Sequence, residues 1–232
     1  MKNDRNEWKY CISERKAQVL FEQLADVLEM DPHSDDSGSY QVSSLYFDDI
    51  CDSEYFANDA GENTRCKYRI RRYGADSEHL YLERKKKFNA FCYKEKCALT
   101  REEYETILDG EYERLVFTPE KPLLSRFCTE AMCKGFRPTA IVNYGRTALV
   151  DELCRVRITF DREIRTSYDY REFLSGDYCE FPVLKDGRVV LEFKFDEAVP
   201  LHVRRILQTH SLARQAFSKY YRSRAVLHQV VF

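Results

Sequence analysis

The sequence predicts an α+β fold: a closed antiparallel β-barrel that forms a tunnel and is decorated with helices. Three observations lead there. Charged and apolar residues alternate with period two in separate segments along the chain. Tyr and Phe are abundant, at 16 and 15, whereas Gly and Pro number only 8 and 6, a balance that suits strands over long linkers. Apolar stripes of helical spacing fall between the alternating segments. At 232 residues the chain fits one domain, 1–232, of a size common for barrels.

Residues 5–12 read as a first strand. Ser13 can cap a helix whose apolar stripe is Ala17, Leu20, Phe21, Leu24, Val27 and Leu28. Residues 31–39, with Pro32 and Gly38, read as a loop, and 40–47 as a strand ended by Asp48 and Asp49. Strands are predicted at 66–73 and 80–87, joined by a turn over 74–78, and again at 91–99. Thr100 and Glu103 make a capping box for a short helix that ends at Gly110. A further helix covers 123–134 and stops at Gly135, with Leu123, Leu124, Phe127 and Met132 as its apolar set. Strands follow at 139–144, 153–160 and 189–195. The last element is a helix over 201–221, broken in the middle.

The alternation is the feature that points to chemistry. Lys67, Arg69 and Arg71 alternate with Cys66, Tyr68 and Ile70. Residues two apart on a strand share a face. Glu83, Lys85 and Lys87 repeat the pattern after Tyr81, as do Arg155, Arg157, Thr159 and Asp161 against Val156, Ile158 and Phe160. Glu192 and Lys194 alternate with Leu191, Phe193 and Phe195, and Arg5, Glu7 and Lys9 share one face of the first strand. One such strand would be an ordinary solvated face. Several together, rich in Arg and Lys and short of carboxylates, describe a cationic lumen. Unpaired buried charge is costly, so that lumen needs a polyvalent anion. Phosphate suits it: Arg forks grip phosphate oxygens in a bidentate way and Lys adds mobile point charges. The apolar faces would be covered by the helices at 17–28 and 123–134.

Other classes are poorly supported. The formal net charge of −2 gives no basic field for nucleic acid. The nine Cys include no C-x-x-C pair, and His33, His79, His202, His210 and His228 show no ligand spacing. No Walker motif, dinucleotide fingerprint or Ser-His-Asp arrangement is present, so phosphate binding would rest on side-chain cations. No signal sequence and no apolar run of about 18 residues appears, which leads us to expect a cytoplasmic protein.

The chain resembles the polyphosphate polymerase (VTC) domain family in its short bacterial form, part of the triphosphate tunnel enzyme (CYTH-like) superfamily. The resemblance rests on Ser44-Leu45-Tyr46-Phe47-Asp48, Arg69-Ile70-Arg71-Arg72-Tyr73-Gly74 and Leu82-Glu83-Arg84-Lys85, followed by Tyr144-Gly145-Arg146-Thr147-Ala148. Arg157-Ile158-Thr159-Phe160-Asp161, Leu191-Glu192-Phe193-Lys194 and Phe217-Ser218-Lys219-Tyr220 complete it in the same order. It implies the triphosphate tunnel fold, with tunnel cations at Lys9, Arg69, Arg71, Lys85, Arg146, Arg157, Lys194 and Lys219. Lys67 extends that path. Lys94 or Lys96 would add a further cation, and Tyr144 and Ser218 hydroxyl donors. Glu192 matches the family's metal-ligating carboxylate, for manganese or magnesium, with Glu83 as helper and Glu7 and Asp161 as further candidates.

The resemblance implies transfer of the γ-phosphoryl group of ATP onto inorganic polyphosphate. The alternatives are a metal-dependent triphosphatase and a non-catalytic polyphosphate-binding module. The N-terminal phosphate-sensing helical domain and C-terminal transmembrane segment of the best-known eukaryotic members are not expected here. Coupling to a membrane would therefore need a separate membrane subunit.

Overall fold

A computed structural model describes residues 6–35, 38–74, 79–89, 91–185 and 187–231. Arg5 and most of the turn expected over 74–78 lie outside the described residues. The strands are β1 (Asn6–Ser13), β2 (Glu29–Met30), β3 (Tyr40–Asp48), β4 (Thr64–Tyr73), β5 (Leu80–Phe88), β6 (Phe91–Leu99), β7 (Arg137–Asp151), β8 (Val156–Ser167), β9 (Phe181–Pro182) and β10 (Arg188–Phe195). The helices are α1 (Glu14–Ala25), α2 (Ser53–Asp59), α3 (Arg101–Leu108), α4 (Pro122–Lys134), α5 (Leu201–Gln208) and α6 (Lys219–Val231). Two 3-10 turns, Tyr112–Arg114 and Tyr170–Phe173, complete the set.

All strands belong to one antiparallel sheet of order β1-β10-β8-β7-β3-β4-β5-β6, with β2 on β7 and β9 on β8. This corrects the expectation of a closed barrel. The order ends on β1 and β6, and no ladder joins them among the described residues. The physical reason lies at the edges. The free edge of β1 is met by the extended segment before α6, where the Gln215 N–H donates to the Lys9 carbonyl at 3.0 Å. Lys9 Nζ in turn donates to the Phe217 carbonyl at 3.2 Å. The sheet curls far enough for Lys85 of β5 to reach Glu7 of β1 at 3.4 Å. A side-chain ion pair and a strap thus stand where a ladder was expected.

The two faces sort as the alternation predicts. On the convex face, Leu45, Tyr68, Ile70, Leu82 and Ile141 pack under α3 and α4 through Tyr104, Ile107, Leu124 and Phe127. Further along, Tyr10, Ile158, Phe160, Leu191 and Phe193 pack under α1 and α5 through Leu20, Leu24 and Val203. A third cluster lies inside the curl, where Val42, Tyr46, Val142 and Tyr144 receive Phe217, Tyr220 and Leu227. α6 therefore seats against the concave face. Asp48 anchors it: the buried carboxylate accepts from the Tyr220 hydroxyl and from the N–H groups of Glu54 and Tyr55, both at 3.0 Å.

Local signals explain the helix ends. The Ser13 side chain accepts from the Lys16 N–H. The capping box of Thr100 and Glu103 is formed. Gly135 closes α4 at φ +67°, a left-handed conformation that suits glycine. Three details differ from expectation. Met132 is exposed, and Cys128 and Ala131 take its place in the core. Val27 lies past the end of α1 and is exposed. The helix over 201–221 is broken in the middle as expected, but the break is an extended strap between α5 and α6, and α6 runs on to Val231.

Candidate functional site

Register places the cations of β4 between two polar rows. Arg69 stands opposite Tyr46 on β3 and Glu83 on β5, and Arg71 stands opposite Ser44 and Tyr81. Arg69 donates to Glu83 Oε2 from Nε at 2.8 Å and Nη2 at 2.6 Å, and to the Tyr46 hydroxyl from Nη1 at 2.9 Å. Arg71 donates to Ser44 Oγ at 3.1 Å and to the Tyr144 hydroxyl at 3.3 Å, and its Nη1 lies 3.8 Å from Glu83. Lys94 Nζ meets the other oxygen of Glu83 at 2.7 Å. Lys96 instead sits over the Tyr81 ring, 3.4 Å from its centroid. Of the two lysines left open by the sequence, Lys94 is the one joined to this cluster.

The opposite wall comes from β7, β8, β10, β1 and the start of α6. Arg146 grips the fully buried Asp161 with two bonds, at 2.6 and 2.8 Å, and Lys219 Nζ reaches the same carboxylate at 2.6 Å. Lys219 also lies over the Tyr144 ring, 4.7 Å from its centroid. Glu192 pairs with Lys194 and, at 3.5 Å, with Lys9. Glu7 pairs with Lys9 at 2.9 Å and Lys85 at 3.4 Å. Lys67 Nζ donates to Asn58 Oδ1 at 2.8 Å and Ser218 Oγ at 3.2 Å, so both Lys67 and Ser218 sit where α2 and α6 meet the sheet. Arg157 is held to one side by Asp31 and by the Tyr40 hydroxyl at 2.9 Å. Arg155 does not belong to the set. It precedes β8, is mostly exposed, and pairs with Asp196 at 2.9 Å.

The electrostatic result is uneven. Nine cations, Lys9, Arg69, Arg71, Lys85, Lys94, Arg146, Arg157, Lys194 and Lys219, share five carboxylates, Glu7, Asp31, Glu83, Asp161 and Glu192. Burial works against ionisation of Glu192, yet Lys194, Lys9 and Lys219 hold its carboxyl well below the usual range. Burial likewise opposes Asp161, but Arg146 and Lys219 bring it down to about 2. Lys67 behaves in the opposite sense: burial lowers its ammonium to about 8. At Tyr46 burial pushes upward, and Arg69, Arg71 and Lys67 overcome it and lower the phenol to about 8.

These two groups set a pH dependence. As pH rises through about 8, Lys67 loses a positive charge and Tyr46 gains a negative one. Both changes repel a phosphate chain. Affinity for tripolyphosphate is expected to fall about ten-fold between pH 7 and 9, the effect of roughly one unit of pKa linkage. Calorimetric titration of wild type and Tyr46→Phe across that range checks it. The variant should lose part of the fall, and identical profiles would refute the assignment to the phenol.

The metal expectation divides. Glu83 is saturated by Arg69, Arg71 and Lys94 and shares no partner with Glu192, so its geometry is that of a counter-ion. The carboxyl group that meets Glu192 is Glu7. No group of three or more His, Cys, Asp or Glu side chains able to hold a metal occurs among the described residues. Two adjacent carboxylates still fit a hard divalent ion whose other ligands are phosphate oxygens and water. Glu7 and Glu192 thus fit a metal that arrives with its substrate, not a protein-only cage. Asp31, Tyr40 and Tyr46 were not legible as members of this site. Asp31 meets Arg157 from 126 positions away, and a lone loop Asp carries no spacing signal.

No curated protein matches the chain. The fold is similar to that of a putative adenylate cyclase from Bacillus halodurans, with a TM-score of 0.56 and 14% identity over 93% of this chain and 95% of that one. It is also similar to the PH1819 protein of Pyrococcus horikoshii, with a TM-score of 0.50 and 13% identity over 97% of this chain and 99% of that one. At such identities the likeness concerns the fold alone. The model of the VTC domain family matches residues 4–228. With that match spanning nearly the whole sequence, the chain belongs to the VTC domain family.

Proposed function

We propose that the protein is a metal-dependent polyphosphate polymerase, which transfers the γ-phosphoryl group of ATP to the end of a growing inorganic polyphosphate. The observation that carries this reading is the set of nine cations sharing five carboxylates along one concave face. That excess suits a polyanion longer than a single triphosphate. In the transfer, a terminal oxygen of the acceptor chain attacks Pγ and the bond from Pγ to the bridging oxygen of ADP breaks. The acceptor is already an anion, so no protein nucleophile is required. The protein's part is positioning and charge stabilisation.

Arg69 and Arg71 on one wall, and Arg146 and Lys219 on the other, would hold the phosphates and offset the charge that spreads over the transferred group. Lys85, Lys9 and Lys194 would extend the path, with Tyr144 and Ser218 as neutral hydrogen-bond partners. Glu7 and Glu192 would hold the divalent ion. Bound there, manganese or magnesium would supply positive charge to the phosphate oxygens. ATP as substrate places the activity in the cytoplasm. No helix among the described residues is long and apolar enough to cross a membrane. Delivery of product across one would fall to a separate subunit.

The test is a gel that resolves product length from γ-labelled ATP with manganese, run beside a free-phosphate assay. A ladder of lengthening chains is expected. Free phosphate in proportion to ATP consumed, with no ladder even after addition of a short polyphosphate primer, would replace transfer by hydrolysis. Binding of polyphosphate without turnover would leave a binding module.

A further inference from the structure

The alternation on β4 that points Arg71 inward sends Arg72 to the convex face. There the Arg72 side chain is buried, with 8% exposure. Its Nε has no hydrogen-bond partner among the described residues. Its guanidinium lies over the Phe173 ring, 5.5 Å from the guanidinium carbon to the centroid. A second orphan donor lies against the same ring. Tyr104 of α3 is 2% exposed, packs on Phe173 at 6.2 Å between centroids, and leaves its hydroxyl without a partner among the described residues. The charges facing that hydroxyl are Arg72 and Arg101 on the positive side and Glu105 on the negative, with the Tyr178 phenol nearby. Tyr178 accepts from Asn143 Nδ2 at 2.7 Å, which leaves its own proton to donate. Gly176 completes the wall at φ +77°, and a Cβ there would sit 3.6 Å from Arg72 Nη2.

The two groups against the Phe173 ring left without a partner among the described residues, Arg72 Nε and the Tyr104 hydroxyl, are thus both donors, and one belongs to a full cation. Arg72 has no ion pair among the described residues, a buried guanidinium left so is costly, and a cation–π contact offsets only part of that cost. Water could satisfy the two orphan donors but not the charge. An acceptor with negative charge satisfies both. One guanidinium and two hydroxyls match the oxygens of a single tetrahedral group, not a chain.

We propose that Arg72, Tyr104 and Tyr178 form a second binding site for one small tetrahedral oxyanion, back to back with the concave site. The ligand class is orthophosphate or sulfate. The site is separate from the phosphoryl-transfer reading and stands or falls without it.

The experiment is thermal unfolding of wild type, Arg72→Met and Tyr104→Phe in chloride, sulfate and phosphate buffers of equal ionic strength. The concave face is unchanged in all three proteins, so the difference between them isolates the convex site and also removes the general stabilisation these salts give. At about ten-fold excess over Kd, phosphate should raise the wild-type Tm about 3–5 °C more than it raises that of Arg72→Met. Tyr104→Phe removes one unpartnered hydroxyl. It should match or exceed wild type in chloride, yet bind phosphate about 5- to 10-fold more weakly. Should Arg72→Met fail to fold, Tyr104→Phe alone decides. Stabilisation by both anions assigns a general oxyanion site, and by phosphate alone a phosphate site. Equal anion-dependent shifts in all three proteins would mean that water alone serves these donors, and would overturn the proposal.

Discussion

Replacing Glu192 by Gln is expected to lower turnover by about 10²–10³-fold, the loss typical when one preorganised charge is removed from a reacting centre. The substitution keeps the shape of the side chain and its capacity to accept from Lys9 and Lys194, so the fold should persist. What it removes is the charge that a divalent ion needs. Glu192 is 5% exposed, and Lys194, Lys9 and Lys219 hold its carboxyl well below the usual range against the cost of burial. Manganese titrations with and without nucleotide test the assignment. Wild type should show metal-dependent nucleotide binding, and Glu192→Gln should lose it. Glu83→Gln is the informative companion. That carboxylate is fully engaged by Arg69, Arg71 and Lys94. Its loss should cost stability and leave the manganese dependence in place. Equal metal-dependent activity in wild type and Glu192→Gln would rule out the metal role.

What the sequence could show follows from what period two encodes. Alternation reports which face a side chain takes, and the faces of Arg69, Arg71, Glu83, Lys85, Arg157, Glu192 and Lys194 were legible for that reason. It carries no information about edges, because a strand reads the same whether its outer groups meet a ladder, a strap or water. Closure of the barrel was therefore inferred from the need to shelter charge. The structure meets that need with the Lys85–Glu7 pair and the strap ahead of α6. Carboxylates were harder to read than cations. Glu83 and Glu192 look alike in sequence, each two residues before a lysine on a strand, yet one is locked by two arginines and a lysine and the other adjoins Glu7. Lys219 and Ser218 rested on resemblance alone, since a lysine at the start of a helix is usually solvated. Their placement depends on Tyr220 docking on Asp48, a contact 172 residues apart in the chain.

The same logic of shared counter-ions predicts the behaviour of Asp161→Ala. This carboxylate is fully buried and serves two cations from different elements, Arg146 of β7 and Lys219 of α6. Removing it leaves two buried positive charges without a counter-ion, a change that typically costs about 3–5 kcal/mol. For a chain of this size that is a fall in Tm of roughly 6–20 °C. The acid limb of the stability curve should change too. The carboxyl titrates at about 2 in the folded protein against 3.8 ordinarily, so its contribution is complete above 3.8 and is lost as pH falls through about 2. The variant should lack that loss and be flatter between those values. A purely structural role would end there. A positioning role predicts more, because an anionic ligand can replace the missing charge. Tripolyphosphate should raise the Tm of Asp161→Ala more than that of wild type, and KM for ATP should fall as the released Arg146 and Lys219 turn to substrate. Meanwhile kcat should drop about 10- to 100-fold, since clamps that must reorganise during the reaction no longer meet the transferring group in place. Asp161→Glu, which restores the charge at a different reach, should recover stability before it recovers kcat. If tripolyphosphate stabilises wild type and Asp161→Ala equally, and kcat and KM move by the same factor, Asp161 holds the fold together and does not set the clamps.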